Sequence, residues 1–343
     1  MNRPGQQTLE ILLARRDLSE QQAGELLYEL TDAAMTPAMA GALLAALGLK
    51  QLTPAEVRGL ARAMRALARR PQLAAGGPIV DVAGTGGDGS HSFNLSTGAA
   101  LLAAACGVRV VKHGNRSVSS RCGSADVIEA LGLPLPLDEC AAGRCLERTG
   151  FTFLFAPHYH PAMRAIAPVR AALGVRTVFN LLGPLANPAE TPWAVIGAWS
   201  EEVARLLAQT LAGMPIERAF VVHGTTGWDE PTPATDFLLC DVRPGRVVEL
   251  RRTPEHFGLP RCDERELQGA DAAHNAGRLC AVLRGEDRGP HRDALVMGAA
   301  LVAEVTGLAP DPHAGAALAA AAIDEGRAAR LLAEVAAFGR EHH

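Results

Sequence analysis

A short apolar run, Pro78-Ile79-Val80-Asp81-Val82-Ala83, ends in a burst of glycines at 84, 86, 87 and 89. Asn94-Leu95-Ser96-Thr97 and an alanine-rich segment follow. The order reads as strand, loop and helix, the opening unit of an α/β layer. Glycine reaches positive φ and lets a bulky ligand come close to the backbone. A helix N-terminus behind it adds unpaired N–H groups and the positive end of a dipole, which suits phosphate. On its own a glycine cluster marks many turns. Here Asp88, Asn94, Ser96 and Thr97 surround the same turn, and a second polar loop, Lys112 to Ser120, follows the next apolar run. Loops after successive parallel strands meet at the carboxyl edge of a sheet. Chemistry alone therefore points to a site for a multiply phosphorylated small molecule. The glycines do not form a dinucleotide fingerprint, because Gly84-Thr85-Gly86-Gly87 lacks the spaced third glycine, and no Gly-Lys-Ser/Thr of an ATP-binding loop follows.

Further along, apolar runs at 79–83, 108–112, 151–156, 193–199 and 219–223 alternate with helical stretches at 96–105, 124–132, 138–149 and 201–213. That alternation predicts a mainly parallel sheet. Thr235 to Val242 and Arg246 to Arg251, split by Arg243-Pro244-Gly245, predict a β-hairpin instead. From about 291 the chain reads as alanine-rich helix.

Residues 1 to about 71 read as entirely helical. Ser19-Glu20-Gln21-Gln22 is a capping box, and Thr36-Pro37 and Thr53-Pro54-Ala55-Glu56 place a hydroxyl before a first-turn proline. Val57, Leu60, Ala61, Met64, Leu67 and Ala68 form one apolar stripe, and Arg58, Arg62, Arg65 and Arg69-Arg70 are expected on solvated faces. An apolar face with no evident local partner is a natural dimer surface. Pro71 to Pro78 reads as a linker. The expected fold is thus a small helical domain, 1–71, and a larger α/β domain, 78–343, with helices around 160–190 also packing on the helical domain.

The chain has 343 residues, 48% of them hydrophobic, and a formal net charge of -4, so it is not a polyelectrolyte binder of nucleic acid. Aromatics at 4% leave few stacking platforms for single strands. No run reaches the roughly 18–20 apolar residues of a membrane span, and MNRPGQQTLE lacks a secretory pattern. Seven scattered cysteines, with no CxxC pair, read as free thiols in a reducing cytoplasm. His158-Tyr159-His160 has metal-like spacing but no third ligand, so zinc is rejected. The terminal His342-His343 is either native or a tag remnant.

Several long motifs in order carry a resemblance: GTGGDG followed by FNLST, then KHGNRSVSSRCGSAD, then HPAMRAIAPVRAALGVRTVFNLLGPLANP, VVHGTTGWDE, DAAHNA and RDALVMGAAL. Together they resemble anthranilate phosphoribosyltransferase, nearly end to end. The resemblance implies transfer of the phosphoribosyl group of phosphoribosyl pyrophosphate to the amine of anthranilate, with Mg²⁺, in tryptophan biosynthesis. It also implies a homodimer joined through helical domains. By position, Gly84, Gly87, Asp88, Ser92, Asn94, Leu95, Ser96, Thr97, Lys112, His113, Gly114, Asn115, Arg116, Ser117, Val118, Ser119, Ser120 and Ser124 are implied as donor-binding residues. Ser96, Asp229 and Glu230 are implied at the metal. Asn115, Arg170 and the Gly84 backbone are implied at anthranilate, with His113 and His160 lining its channel.

Those assignments make chemical sense. Breaking the C1–pyrophosphate bond builds negative charge on the leaving group, which metal ions and oriented N–H donors stabilise. Adjacent acidic residues are hard oxygen ligands for Mg²⁺. A planar guanidinium suits a carboxylate, although an isolated Asp-Glu pair or arginine is usually a surface feature. The aromatic amine is neutral at pH 7, so positioning is expected to matter more than a general base. Three departures stand out. Ser92 replaces a common threonine and keeps the hydroxyl. Val296-Met297-Gly298-Ala299 loses an amide side chain, with a structural consequence expected. Trp228 is unusual and is expected to alter packing of the loop over the metal. The competing readings are a pyrimidine nucleoside phosphorylase-like enzyme, a relative acting on a modified aminobenzoate, and a nucleic-acid-binding relative of the same fold.

Overall fold

The computed structural model describes residues 5–90, 92–116 and 122–342. Four helices come first: α1 (Gln6–Leu13), α2 (Glu20–Thr31), α3 (Pro37–Leu49) and α4 (Pro54–Ala66). Their starts follow the local chemistry. The Ser19 hydroxyl accepts the Gln22 N–H and the Gln22 side chain accepts the Ser19 N–H in return, at 3.2 and 2.9 Å. Thr53 and Glu56 make the same reciprocal pair at 3.3 and 2.9 Å. Glu56 is fully buried and also accepts the Leu18 N–H (2.8 Å) and Lys50 Nζ (2.7 Å), so one carboxylate ties together the approaches to α2 and α4.

A seven-stranded sheet forms the centre, in the order β3-β2-β1-β4-β5-β6-β7. Its strands are β1 (Ile79–Gly84), β2 (Arg109–Gly114), β3 (Phe151–Phe155), β4 (Trp193–Gly197), β5 (Arg218–Gly224), β6 (Phe237–Arg243) and β7 (Arg246–Arg252). The first five pair in parallel and the β6–β7 hairpin closes the edge antiparallel. Connections run through α5 (Leu95–Ala105), α6 (Ser124–Ala130), α7 (Glu139–Thr149), α8 (Ala156–Tyr159), α9 (Ala167–Leu173), α10 (Phe179–Leu182) and α11 (Glu201–Ala212). The chain finishes in α12 (Ala272–Leu283), α13 (Pro290–Val305), α14 (Pro312–Asp324) and α15 (Arg327–Glu341). From β1 the order runs outward to β2 and β3, then restarts on the other side with β4. The crevice at the carboxyl ends of β1 and β4 is therefore the topological switch point, where open α/β sheets bind ligands.

Strand residues alternate between two buried layers, as a period of two requires. Val80, Val82, Val195, Phe220 and Val222 pack with α5, α6, α7 and α12–α15. Ala194, Ile196, Ala219, Val221 and Leu238 face the other way and join a cluster with Leu27, Leu43, Leu60, Ile166, Phe179 and Leu207. That second cluster corrects two expectations. The α4 stripe Val57, Leu60, Ala61 and Met64 is covered within the chain rather than left for a partner. Arg65 is not on a solvated face: it is 8% exposed and donates to the Leu185 carbonyl at 2.7 Å. Leu13, Leu49 and Tyr28 are the large apolar side chains exposed on α1–α3. No helix among the described residues is long and apolar enough to cross a membrane.

Candidate active site

β1 delivers its carboxyl end into the glycine loop, where Gly86, Gly87 and Gly89 all take φ between 64° and 78°. That left-handed backbone is strained for other residues. Gly84 is needed for a different reason. A Cβ there would lie 2.6 Å from Asp229 Oδ2, and one at Gly197, its register partner on β4, would lie 1.5 Å from the Asp229 carbonyl oxygen. The two bare strand ends let the 229–230 segment drop into the switch-point crevice. The need for glycine at 197 is not legible in the sequence, because it comes from a residue 32 positions away that the fold alone brings to it.

Asp229 and Glu230 do reach the glycine loop and the start of α5. Asp229 Oδ2 accepts the Gly86 N–H at 2.6 Å, and Asp88 Oδ2 accepts the Asp229 N–H at 3.1 Å. Glu230 accepts the Ser96 N–H, at the N-terminus of α5, at 2.9 Å and the Ser92 hydroxyl at 3.0 Å. Burial pushes both carboxyl groups up from their ordinary range, and for Asp229 the charges of Glu230 and Asp88 add to it. Lys112 lies beneath, 2% exposed, donating to the Val82 carbonyl and to Ser96 Oγ (3.4 Å). Burial lowers its pKa while Asp81, Glu230 and Asp229 hold it up. Asp81, buried below the loop, accepts the His113 N–H at 3.1 Å and is held up to about 6, mainly by burial.

α5 reaches this crevice because it packs tightly on α13. Gly298 lies against Ala99, where an added Cβ would come to 2.6 Å, so the residue that departs from the family pattern serves helix packing. Leu95 and Thr97 are buried in the first turn. Asn94 is held by Asn275 of α12, whose Nδ2 donates to Asn94 Oδ1 at 2.9 Å. The second polar loop is only partly described. Ser117, Val118, Ser119 and Ser120 lie outside the described residues. Gly114 passes Ser124 and Phe153 so closely that a Cβ would meet them at 2.5 and 2.7 Å. Ser124 Oγ donates to the Asn115 carbonyl at 3.2 Å. Asn115 is exposed, and Arg116 pairs with Asp126 and Glu129 at 2.7 and 2.6 Å. Trp228, next to Asp229, is 6% exposed and packs in the core, and its carbonyl accepts the Gly224 N–H.

On the other flank, His113 Nε2 and His160 Nε2 face each other at 3.2 Å, and His113 Nδ1 lies 3.2 Å from the Gly183 carbonyl. A carbonyl only accepts, so His113 is assigned its proton on Nδ1, which leaves its Nε2 as an acceptor toward His160. Burial lowers His113 to about 3 and His160 to about 4, so both rings are neutral at pH 7. Arg170 on α9 stacks over the Phe179 ring, 5.0 Å from its centroid. Burial alone lowers its pKa; no carboxylate among the described residues offsets that. Three residues beyond α9, Arg176 donates to the Gly87 carbonyl, which ties this flank to the glycine loop.

Comparison with known proteins agrees with this architecture. Residues 6–68 match the glycosyl transferase family, helical bundle domain, and residues 76–329 the glycosyl transferase family, a/b domain. The anthranilate phosphoribosyltransferase of Chloroflexus aurantiacus is 44% identical over 335 residues, 97% of this chain and 98% of that one. The crystal structure of the Thermus thermophilus enzyme superposes with a TM-score of 0.90 at 42% identity, covering 97% of this chain and 99% of its own. The Saccharomyces cerevisiae enzyme, in complex with PRPP (phosphoribosyl pyrophosphate) and Mg, gives 0.89 at 26% identity, covering 98% and 99%. With that likeness running through both domains, the chain belongs to the anthranilate phosphoribosyltransferase family.

Proposed function

We propose that this chain transfers the phosphoribosyl group of phosphoribosyl pyrophosphate to the amine of anthranilate, releasing pyrophosphate, in tryptophan biosynthesis. One observation carries the reading: a glycine loop and helix N-terminus with acidic side chains on one flank of the crevice, and on the other a part-buried arginine with no carboxylate beside it among the described residues. The first flank suits a polyphosphate and the second a carboxylate.

The acidic side chains also fit a divalent cation. Asp229 and Glu230 offer only oxygen, and burial with neighbouring negative charge raises the pKa of both, a cost that a cation would relieve. Asp229 and Glu230, with Ser96 Oγ, would hold magnesium, with substrate phosphates and water completing its shell. A cation held there would supply positive charge to offset the negative charge of the pyrophosphate leaving group. The chain's own groups do the rest. Backbone N–H donors of the glycine loop and α5, with Lys112 behind them, are set for the charge that develops on the leaving group. Gly84, Gly87, Asp88, Ser92, Asn94 to Thr97, Asn115, Arg116 and Ser124 form the remaining donor cradle. Arg170 grips the anthranilate carboxylate and, with Asn115 and the Gly84 backbone, aims the neutral amine at C1. The neutral His113–His160 pair lines that approach without drawing a proton from the nucleophile.

Loss of anthranilate fluorescence in a mixture of protein, Mg²⁺, phosphoribosyl pyrophosphate and anthranilate tests the reading. Turnover is expected. Folded protein that consumes no anthranilate, but phosphorolyses pyrimidine nucleosides, would transfer the assignment to the phosphorylase alternative. We also propose a homodimer, supported by the exposed Leu13 and Leu49 on the helical part. Sedimentation at the mass of one chain would contradict it.

A further inference from the structure

Three glycines in left-handed backbone make the 84–90 loop costly to order, because glycine gives up more conformational freedom on folding than any other residue. The structure shows what holds the loop in shape. Asp88 and Asp229 fasten its floor. Its outer side is fastened by Arg176, a residue that no donor- or acceptor-binding role has yet claimed. The guanidinium donates to the Gly87 carbonyl, and its Nη2 and Nε lie in ordinary van der Waals contact with the position a Cβ would take on that glycine. The guanidinium also stacks on Trp199, 4.6 Å from the ring centroid. Trp199 in turn donates its backbone N–H to Thr85 Oγ1 at 3.2 Å, and the Thr85 N–H donates to the Gly197 carbonyl at 3.0 Å. Both contacts of the guanidinium thus bear on one loop. Its partners among the described residues are a carbonyl and a ring, not the carboxylate that usually engages a surface arginine.

We infer that Arg176 is a positioning residue for the phosphoribosyl donor, a strap that keeps the glycine loop in its phosphate-accepting shape. The inference rests on the assignment of that loop to the donor. Two consequences follow from its chemistry. Donation onto the Gly87 carbonyl polarises the peptide that carries the Asp88 N–H, which strengthens that N–H as a donor. The strap also starts just beyond Gly174, which ends α9 in left-handed backbone (φ 62°), so the element that carries Arg170 sits beside the donor loop. Lysine keeps the charge but loses the planar stack and the fork, so it restores the function only in part.

The test is calorimetric titration of phosphoribosyl pyrophosphate with Mg²⁺, without anthranilate, into wild type, Arg176→Ala and Arg176→Lys, with steady-state kinetics and melting curves alongside. The expected result is donor affinity weaker by about tenfold in Arg176→Ala, intermediate in Arg176→Lys, with the anthranilate KM within about twofold of wild type. Melting temperatures should match, because the side chain is exposed. Equal donor affinity in wild type and Arg176→Ala overturns the inference. So does a loss of melting temperature with both KM values rising together, which would mark a merely structural arginine. A wild type that does not bind the donor would instead overturn the functional assignment beneath it.

Discussion

His113 and His160 show what one residue can do to the pH response of the whole chain. In the unfolded chain an imidazole titrates near ~6.5, whereas burial holds these two at about 3 and about 4. As pH falls from ~6.5, the unfolded state binds protons that the native state does not, so these groups remove stability progressively down to their native pKa values. Asp81 acts with the opposite sign. Its native pKa, about 6, lies above the unfolded value, so the native state takes up its proton first and regains stability as pH falls through 6. His160→Asn can offer an amide donor to His113 Nε2 and cannot charge. Thermal melts of this variant should therefore lose less stability than wild type between about pH 6.5 and pH 4. Parallel curves would contradict the neutral pair. The acidic residues carry a separate expectation. Asp229→Asn with Glu230→Gln should raise the Mg²⁺ concentration for half-maximal rate by about tenfold or more. An unchanged magnesium profile would remove these residues from the metal assignment.

Among the elements, those that carry the site were the most legible in sequence. The run from Ile79 through the glycines to α5 announces strand, loop and helix by local chemistry, and the caps at Ser19, Thr36 and Thr53 announce helix starts. What stayed hidden depends on distant partners. Gly197 looks like any glycine after an apolar run until Asp229 arrives beside it. Asn275 looks like a helix-surface amide until it meets Asn94. Arg65 looks solvated from helical spacing alone, because the segment that covers it lies 120 residues on. Trp228 looks like a loop feature and is a core residue. Gly197→Ala tests the strand-end geometry. Its new methyl must displace Asp229, so activity should fall by about 10²-fold while circular dichroism stays native. Near-wild-type activity would show that the close approach is dispensable.

Across the whole molecule, the helical part and the α/β part share one buried cluster that runs from Leu27 and Leu60 to Ile196 and Val221 on the sheet. Arg65 and Leu185 add a buried polar tie between them. Two parts with a shared core unfold together, so calorimetry should give a single cooperative transition. Two separated transitions would mean the cluster is not a common core. The same arrangement fixes α9, α10 and the 183–185 turn against the helical part, and it thereby fixes where Arg170 stands relative to the glycine loop.

The proposed function divides the crevice into a donor flank and an acceptor flank, and initial-rate kinetics of Arg170→Ala tests the division most directly. Removing the guanidinium should raise the anthranilate KM by about tenfold or more, with the KM for phosphoribosyl pyrophosphate within about twofold of wild type. A rise confined to the phosphoribosyl pyrophosphate KM, or no change in either, would contradict it.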